Sequence, residues 1–387
     1  MSSGARGYCG GMGRTQTYLD WNATAPLRPQ ALEAMSATLA RCGNPSSVHS
    51  WGRAARRLVE HARSAVGALL DAPPEGIIFV SGGTEANHLA LLGVRRSRVL
   101  VSAVEHDSVL RAVPEAERIP VDSDGVVVLD ALDRLLAADP RPALVSVMLA
   151  NNETGVMQPV DEIARIARVY GALFHCDAVQ AAGKIALNAR AIGADLVTLS
   201  AHKLGGPPGI GALVVTGELE LTPLLRGGGQ ERGRRAGTEN LVGIAGFAAA
   251  AIAAAEQIAV YGRIRALRDN LEAGVTAVAP EAVVLGAAAP RLPNTAAVAM
   301  PGVPAETQII ALDLEGVMVS AGAACSSGKV GPSHVLQAMG IGSHLAASTI
   351  RASLGWSSTQ ADVAHFVGAW ASLYRRCHGL APGARTA

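Results

Sequence analysis

From about residue 58 onward the chain alternates two kinds of hydrophobic pattern. Short β-branched and aliphatic runs at 77–80, 99–102, 143–149, 173–176 and 196–199 read as strands buried on both faces. Between them, 85–93, 130–138 and 160–170 read as amphipathic helices, and the last follows Pro159 with an acidic first turn that suits the helix dipole. This alternation predicts an α/β fold with a mostly parallel sheet and helices on both faces. Beyond an alanine-rich helix near residue 250 the texture changes to a long helix at 261–277 and short strands near 283–285 and 295–300. The predicted organisation is therefore a large domain over residues 15–256 and a smaller α+β domain over 257–387. Residues 1–14 are expected to be flexible or packed near the smaller domain.

Composition narrows the picture. A chain of 387 residues exceeds what one core normally supports, and 49% hydrophobic against 17% charged residues argues for compact folding. Lys and Arg total 33 against 32 for Asp and Glu, so net charge gives no footprint for nucleic acid or anionic lipid. The apolar run 244–255 stops at Glu256, too short for a bilayer span and better read as a buried helix. The opening residues lack the apolar core of a secretory signal, and Met12 offers an alternative start. Five cysteines (Cys9, Cys42, Cys176, Cys325 and Cys377) show neither a disulfide framework nor metal-ligand spacing. A reducing, cytoplasmic setting is the expectation.

In open α/β sheets ligands bind beyond the carboxyl ends of the strands, and here nearly every predicted strand ends in a polar cluster. These are Ser81-Gly82-Gly83-Thr84-Glu85, Glu105-His106, Asn151-Asn152-Glu153-Thr154-Gly155, Asp177-Ala178-Val179-Gln180 and Ser200-Ala201-His202-Lys203. Taken singly each has an ordinary reading: Thr84 as a helix N-cap, His106 as a satisfied core residue, Lys203 as a solvated charge. Taken together they converge on one crevice. The first cluster suits a phosphate at a helix N-terminus. Lys203, partly desolvated beside His202, suits Schiff-base chemistry. A buried Asp177 would keep a pyridinium nitrogen protonated, which makes pyridoxal phosphate (PLP) an effective electron sink.

These motifs, with Tyr18-Leu19-Asp20, Gly43-Asn44-Pro45-Ser46-Ser47 and Ser348-Thr349-Ile350-Arg351-Ala352-Ser353, resemble the class V aminotransferase family of PLP enzymes (fold type I), and more narrowly the cysteine desulfurases, over nearly the whole chain. The resemblance implies a seven-stranded, mostly parallel sheet. It implies that Lys203 carries the cofactor as a Schiff base, Asp177 pairs with the ring nitrogen, Gln180 bonds the phenolic oxygen and His106 stacks on the ring. Gly83, Thr84, Ser200 and His202 match the phosphate cup, and Thr238 matches a residue donated to it by a second subunit, which implies a homodimer. Asn152 and Arg351 match the groups that hold the substrate carboxylate, a task suited to the guanidinium fork.

Cys325 lies in the small-residue run Ser320-Ala321-Gly322-Ala323-Ala324-Cys325-Ser326-Ser327-Gly328, which reads as a mobile loop. A cysteine among alanines is more often a small buried hydrophobe, but the resemblance makes Cys325 the thiol that takes sulfur from L-cysteine and passes it to an acceptor protein. The expected activity is conversion of L-cysteine to L-alanine with a persulfide on Cys325. An aminotransferase or selenocysteine lyase would share the cofactor residues without needing Cys325, and a catalytically silent sulfur-delivery scaffold would not need Lys203. The arginines at 226, 232, 234 and 235 read as part of a loop leading to Thr238 rather than a nucleic-acid patch. Two departures from the family pattern stand out: Trp21-Asn22-Ala23-Thr24 varies from the commoner double-Thr form, and Cys176 replaces the usual Val. Cys176 is read as packing.

Overall fold

The computed structural model describes residues 16–41, 43–322 and 333–379. The chain opens on β1 (Thr17–Tyr18) and two helices, α1 (Pro29–Leu39) and α2 (Ser50–Ala68). Strands and helices then alternate as β2 (Ile77–Val80), α3 (Gly83–Gly93), β3 (Arg98–Ser102), α4 (Asp107–Leu110), β4 (Glu117–Ile119) and α5 (Leu129–Ala138). The series continues through β5 (Ala143–Ser146), α6 (Val160–Val169), β6 (Leu173–Asp177), α7 (Ala189–Ile192), β7 (Leu196–Ser200) and β8 (Gly211–Val215).

Strands β2 to β8 form one sheet in the order β2-β8-β7-β6-β5-β3-β4. Only β8 runs antiparallel to its neighbours; the other adjacent pairs are parallel. Strands β5, β7 and β8 are buried along their whole length, which explains their unbroken apolar runs. Two members were not predicted. Strand β4 has only three residues, two of them charged, at the sheet edge. Strand β8 starts at Gly211. A Cβ at Gly211 would lie 2.7 Å from the Gly82 carbonyl carbon and from Leu199 O, so only glycine lets three backbone segments meet there.

Helix α8 (Leu241–Glu256) is the predicted alanine-rich helix, largely buried and packed on α1 and α2. Its small side chains let it approach closely, and Phe247 meets Phe79 edge-on at 6.4 Å. The chain turns by 77° into α9 (Val260–Val278). After it come β9 (Val283–Val284), β10 (Thr295–Ala299), α10 (Ala305–Leu314), β11 (Val317–Met318) and β12 (Ser320–Ala321). The last elements are α11 (His334–Ala338), α12 (Ser343–Ala347), β13 (Thr349–Ser353) and α13 (Gln360–Cys377). An antiparallel sheet in the order β12-β13-β10-β9 and the packed pair α9 and α13 share a second core, with Trp370 and Phe366 at its centre. No single helix among the described residues is long and apolar enough to cross a membrane.

At the N-terminal end strand β1 pairs in parallel with β11, and Leu19 belongs to the second core. The segment then crosses between the two parts. Trp21 packs edge-on against Trp356 at 4.6 Å, and its ring fills the space a side chain at Gly355 would need. Ala25 N donates to His202 O and Arg28 N to Gly205 O, which lays residues 22–28 along the loop after β7.

Candidate active site

The carboxyl ends of β3, β5, β6 and β7 and the start of α3 surround a cavity of about 300 Å³. Gly83, Thr84, His106, Asn152, Asp177, Gln180, Ser200, His202, Lys203 and Arg351 all line it, as do Asn22, Asn87 and Ser108. Ten of the twelve predicted site residues therefore meet at one place. Thr238 does not: it lines a separate cavity of about 120 Å³ with Ser81, Glu231 and Arg235. Cys325 lies outside the described residues, as do Cys9 and Cys42.

Asp177 closes β6 and is 7% exposed. Its Oδ2 accepts from Asn87 Nδ2 at 2.8 Å and its Oδ1 from Val179 N at 2.9 Å, so both oxygens are fixed while the residue still faces the cavity. Asn87, on α3, also donates to Ser108 Oγ at 2.8 Å. Ser108 N donates to His106 Nδ1 at 3.1 Å, and the Ser108 hydroxyl lies 2.8 Å from the same nitrogen. With Nδ1 an acceptor, the neutral ring carries its proton on Nε2. Burial pushes the His106 pKa below the ordinary imidazole range; Asp177 opposes that shift and Lys203 adds to it. His106 is thus neutral near pH 7, with Nε2–H as its free donor.

Lys203 ends a 3₁₀ turn, Ala201–Lys203, directly after β7. Its Nζ donates to Asn22 O at 2.6 Å and Ala23 O at 2.8 Å. The amine is thus held at the cavity by the crossing segment. His202 lies beside it, 3.2 Å from Thr24 Oγ1, with its pKa pushed down to about 4 by burial and by the Lys203 charge. Arg351, on β13, is 4% exposed; it donates to Asp20 Oδ1 at 2.6 Å and to Asn152 O at 3.1 Å. Its buried Nε has no hydrogen-bond partner among the described residues, and the guanidinium lines the cavity, where it suits an anion.

Several contributors were missed from sequence. Asn22 is 1% exposed and its side chain ties four segments together: Nδ2 donates to Asn152 O and Thr295 Oγ1, and Oδ1 accepts from Lys184 Nζ and Asn294 Nδ2. Nothing local marks it, although it falls within a stretch already seen to vary from the family form. Lys184 had a usable signal, its position four residues after Gln180. Glu153 is pushed up by burial and accepts from Ser333 Oγ at 2.6 Å, while Glu105, fully buried and pushed well up, receives Met148 N at 2.7 Å. Both support the wall rather than face the cavity. Cys176 is fully buried with its thiol pushed well up by burial, in keeping with packing, and Cys377 is exposed.

The arginine-rich loop is tied to the protein surface. Arg234 Nη2 donates to Glu75 O at 2.8 Å and Arg232 Nη1 to the same oxygen at 3.2 Å, and Arg235 pairs with Glu85 at 3.0 Å. Behind it, Glu231 is buried and held by both Arg63 Nη groups, at 2.6 and 2.8 Å.

The donor set fits PLP: a buried carboxylate for a pyridinium nitrogen, a lysine amine for the carbonyl carbon, a helix N-terminus at Gly83-Thr84 for the phosphate, and a side-chain amide for the phenolic oxygen. The sequence profile of the class-V aminotransferases matches residues 17–366. A cysteine desulfurase from Cereibacter sphaeroides is 43% identical over 385 residues, covering 95% of this chain and 98% of that protein. An IscS-like cysteine desulfurase from Mycobacterium tuberculosis is 40% identical over 370 residues, covering 89% and 93%. Among solved structures, a NifS-like protein from Rickettsia africae superimposes with a TM-score of 0.87 at 36% identity, covering 95% of this chain and 100% of that one. The chain belongs to the class-V aminotransferases, PLP enzymes of fold type I, and within them to the cysteine desulfurases.

Proposed function

We propose that this enzyme desulfurates L-cysteine at the cavity between β13 and the strand ends, with Lys203, His106 and Cys325 as its catalytic residues. The observation that carries the reading is the meeting of Lys203, Asp177, His106 and Arg351 around one cavity. When bound, PLP supplies an electron sink for charge developing on the substrate α-carbon. Arg351 receives the substrate carboxylate through the fork that Asp20 and Asn152 O already orient, with Asn152 as the second contact. Lys203, once its amine is free, takes the α-proton on Nζ; the carbonyls of Asn22 and Ala23 hold that nitrogen in place. His106 offers its Nε2–H to the substrate as a hydrogen-bond and proton donor, its ring fixed by Ser108.

Cys325 Sγ, as thiolate, attacks the substrate sulfur. The carbon–sulfur bond breaks, its electron pair stays with the carbon skeleton that leaves as L-alanine, and Cys325 keeps the sulfur as a persulfide. A reduced, cytoplasmic setting keeps that thiol available. The persulfide sulfur then passes to an acceptor protein for iron–sulfur cluster assembly or thiolation. We further infer a homodimer in which Thr238 of one subunit completes the phosphate cup of the other; its distance from the cavity of its own chain supports that reading.

The test is alanine and sulfide release from L-cysteine with excess reductant, comparing wild type with Cys325→Ala while checking the bound-cofactor spectrum of both. Loss of turnover with an unchanged spectrum supports the assignment. Normal turnover by the variant removes Cys325 as acceptor.

A further inference from the structure

Lys184 is a buried lysine that the mechanism above does not use. It lies in the segment after β6, 3% exposed, and its described partners are two amide oxygens, Asn22 Oδ1 at 2.8 Å and Gln180 Oε1 at 2.9 Å. Burial lowers its pKa well below the ordinary lysine value, and Lys203 and Arg351 lower it further. A lysine in such a place is costly unless its hydrogen bonds do something that an apolar residue cannot.

What they do is fix orientation. Lys184 Nζ donates to both amides, so the ends that meet it are their oxygens. For Gln180 this turns the nitrogen the other way: Nε2 donates one N–H to Asn22 O at 3.0 Å and has a second N–H to offer, in a residue that lines the cavity. Asn22 O is also the acceptor for Lys203 Nζ, so the same contacts register Gln180 against the catalytic lysine. Without Lys184 the orientation of the Gln180 amide, whose two ends are nearly equivalent in shape, would rest on the single bond from Nε2 to Asn22 O, and the oxygen would lose its donor.

We propose that Lys184 is a positioning residue that holds the Gln180 amide with its nitrogen toward the cavity, as a hydrogen-bond donor to the cofactor's phenolic oxygen. The inference rests on the PLP reading of the cavity. A donor at that oxygen stabilises its anionic form, so the proton shared between the phenolic oxygen and the Lys203-linked nitrogen is lost at lower pH. An inward-facing carbonyl would do the opposite. His106, Asp177, His202, Lys203 and Arg351 also face the cavity, and each is left intact by substitution at 184.

The experiment is a pH titration of the bound cofactor's visible band in wild type, Lys184→Met, Lys184→Gln and Gln180→Leu, with Lys184→Met also placed on the Gln180→Leu background. Lys184→Met removes the donor and is expected to raise the midpoint by about one pH unit. Lys184→Gln, whose amide can donate or accept, is expected to raise it less and stands in if the Met variant does not fold. On the Gln180→Leu background the Met substitution is expected to move nothing. An unmoved midpoint in the folded Met variant, or in the Gln variant where only that folds, overturns the inference. So does an equal rise on the Gln180→Leu background, which would mean a direct charge effect. Absence of any visible band in wild type after addition of PLP would instead overturn the cofactor reading, a separable result.

Discussion

The cavity has two walls assembled in different ways. On one side His106, Asp177, Ser200 and Lys203 each sit within four residues of the carboxyl end of β3, β6 or β7, so the sheet itself sets their spacing. On the other side Asn22 and Arg351 come from opposite ends of the chain and are held by contacts such as Arg351 to Asp20 and Asn22 N to Ser353 Oγ, each spanning 331 residues. The first wall carries most of the proposed chemistry and depends on local geometry. The second, which in the proposed function places substrate and amine, depends on a network in which each member holds several others.

The largest expected effect separates chemistry from support. Lys203→Ala should abolish the covalently linked cofactor band and lower alanine release on the order of 10³-fold or more, while the protein stays folded, because β7 and its neighbours do not need the amine for their core. Cofactor absorbance after exhaustive dialysis, together with a unfolding curve, checks both parts. A variant that kept a stable covalent band would place the Schiff base elsewhere.

Asn22→Ala should show the reverse pattern. It removes four side-chain hydrogen bonds at a 1% exposed position and leaves Lys184 with one oxygen instead of two, so a stability loss of about 3 kcal/mol is expected. The urea midpoint measures it. A loss below about 1 kcal/mol would mean that water replaces the amide and that the second wall is less interdependent than its contacts imply.

This division also explains what could be read from the sequence. Strands β2, β3, β5, β6 and β7 were visible as apolar runs, and the polar residues just beyond them stood out because a strand end is a local signal. The four-residue offset between Gln180 and Lys184 was local too, yet a lysine in a mixed segment gives no sign of being buried until the fold closes over it. Strand β8 hid behind a glycine needed for backbone approach. Asn22 was the least legible: an asparagine after a tryptophan reads as a turn, and only the return of residues 294–295 and 351–353 makes it a hub.

A third test concerns the pH response of the first wall. His175, within β6, is fully buried between Ser146 Oγ at 2.8 Å and Thr198 Oγ1 at 2.9 Å, and burial pushes its pKa down to about 4. Its unfolded value is about 6.5, so the unfolded chain takes up a proton where the folded one does not. The stabilising effect of the neutral ring is complete above pH 6.5 and is lost as pH falls toward 4. Between pH 7 and about 4.5 this group alone should cost about 2 kcal/mol. His175→Gln should flatten the slope of urea midpoint against pH over that window, whatever it does to stability at pH 7. An unchanged slope would assign the acid sensitivity to another group of the wall, with His202 next in line since it too is pushed down to about 4.

The smallest expected effect falls on Cys176, where sequence and structure both read packing. The thiol has no exposure, burial drives its pKa well up, and it lies in the core of the large sheet one residue before Asp177. Cys176→Val brings in a slightly larger apolar side chain with no polar atom and should change stability by less than about 1.5 kcal/mol. Because Asp177 is held by Asn87 and by Val179 N, neither of which involves the Cys176 side chain, the cofactor band and the rate should stay at wild-type values. A thiol reagent should fail to modify Cys176 in the folded protein and succeed after unfolding. A shifted band in Cys176→Val would show instead that the wall is sensitive to the packing beneath it, and that the separation between local chemistry and long-range support breaks down one residue from Asp177.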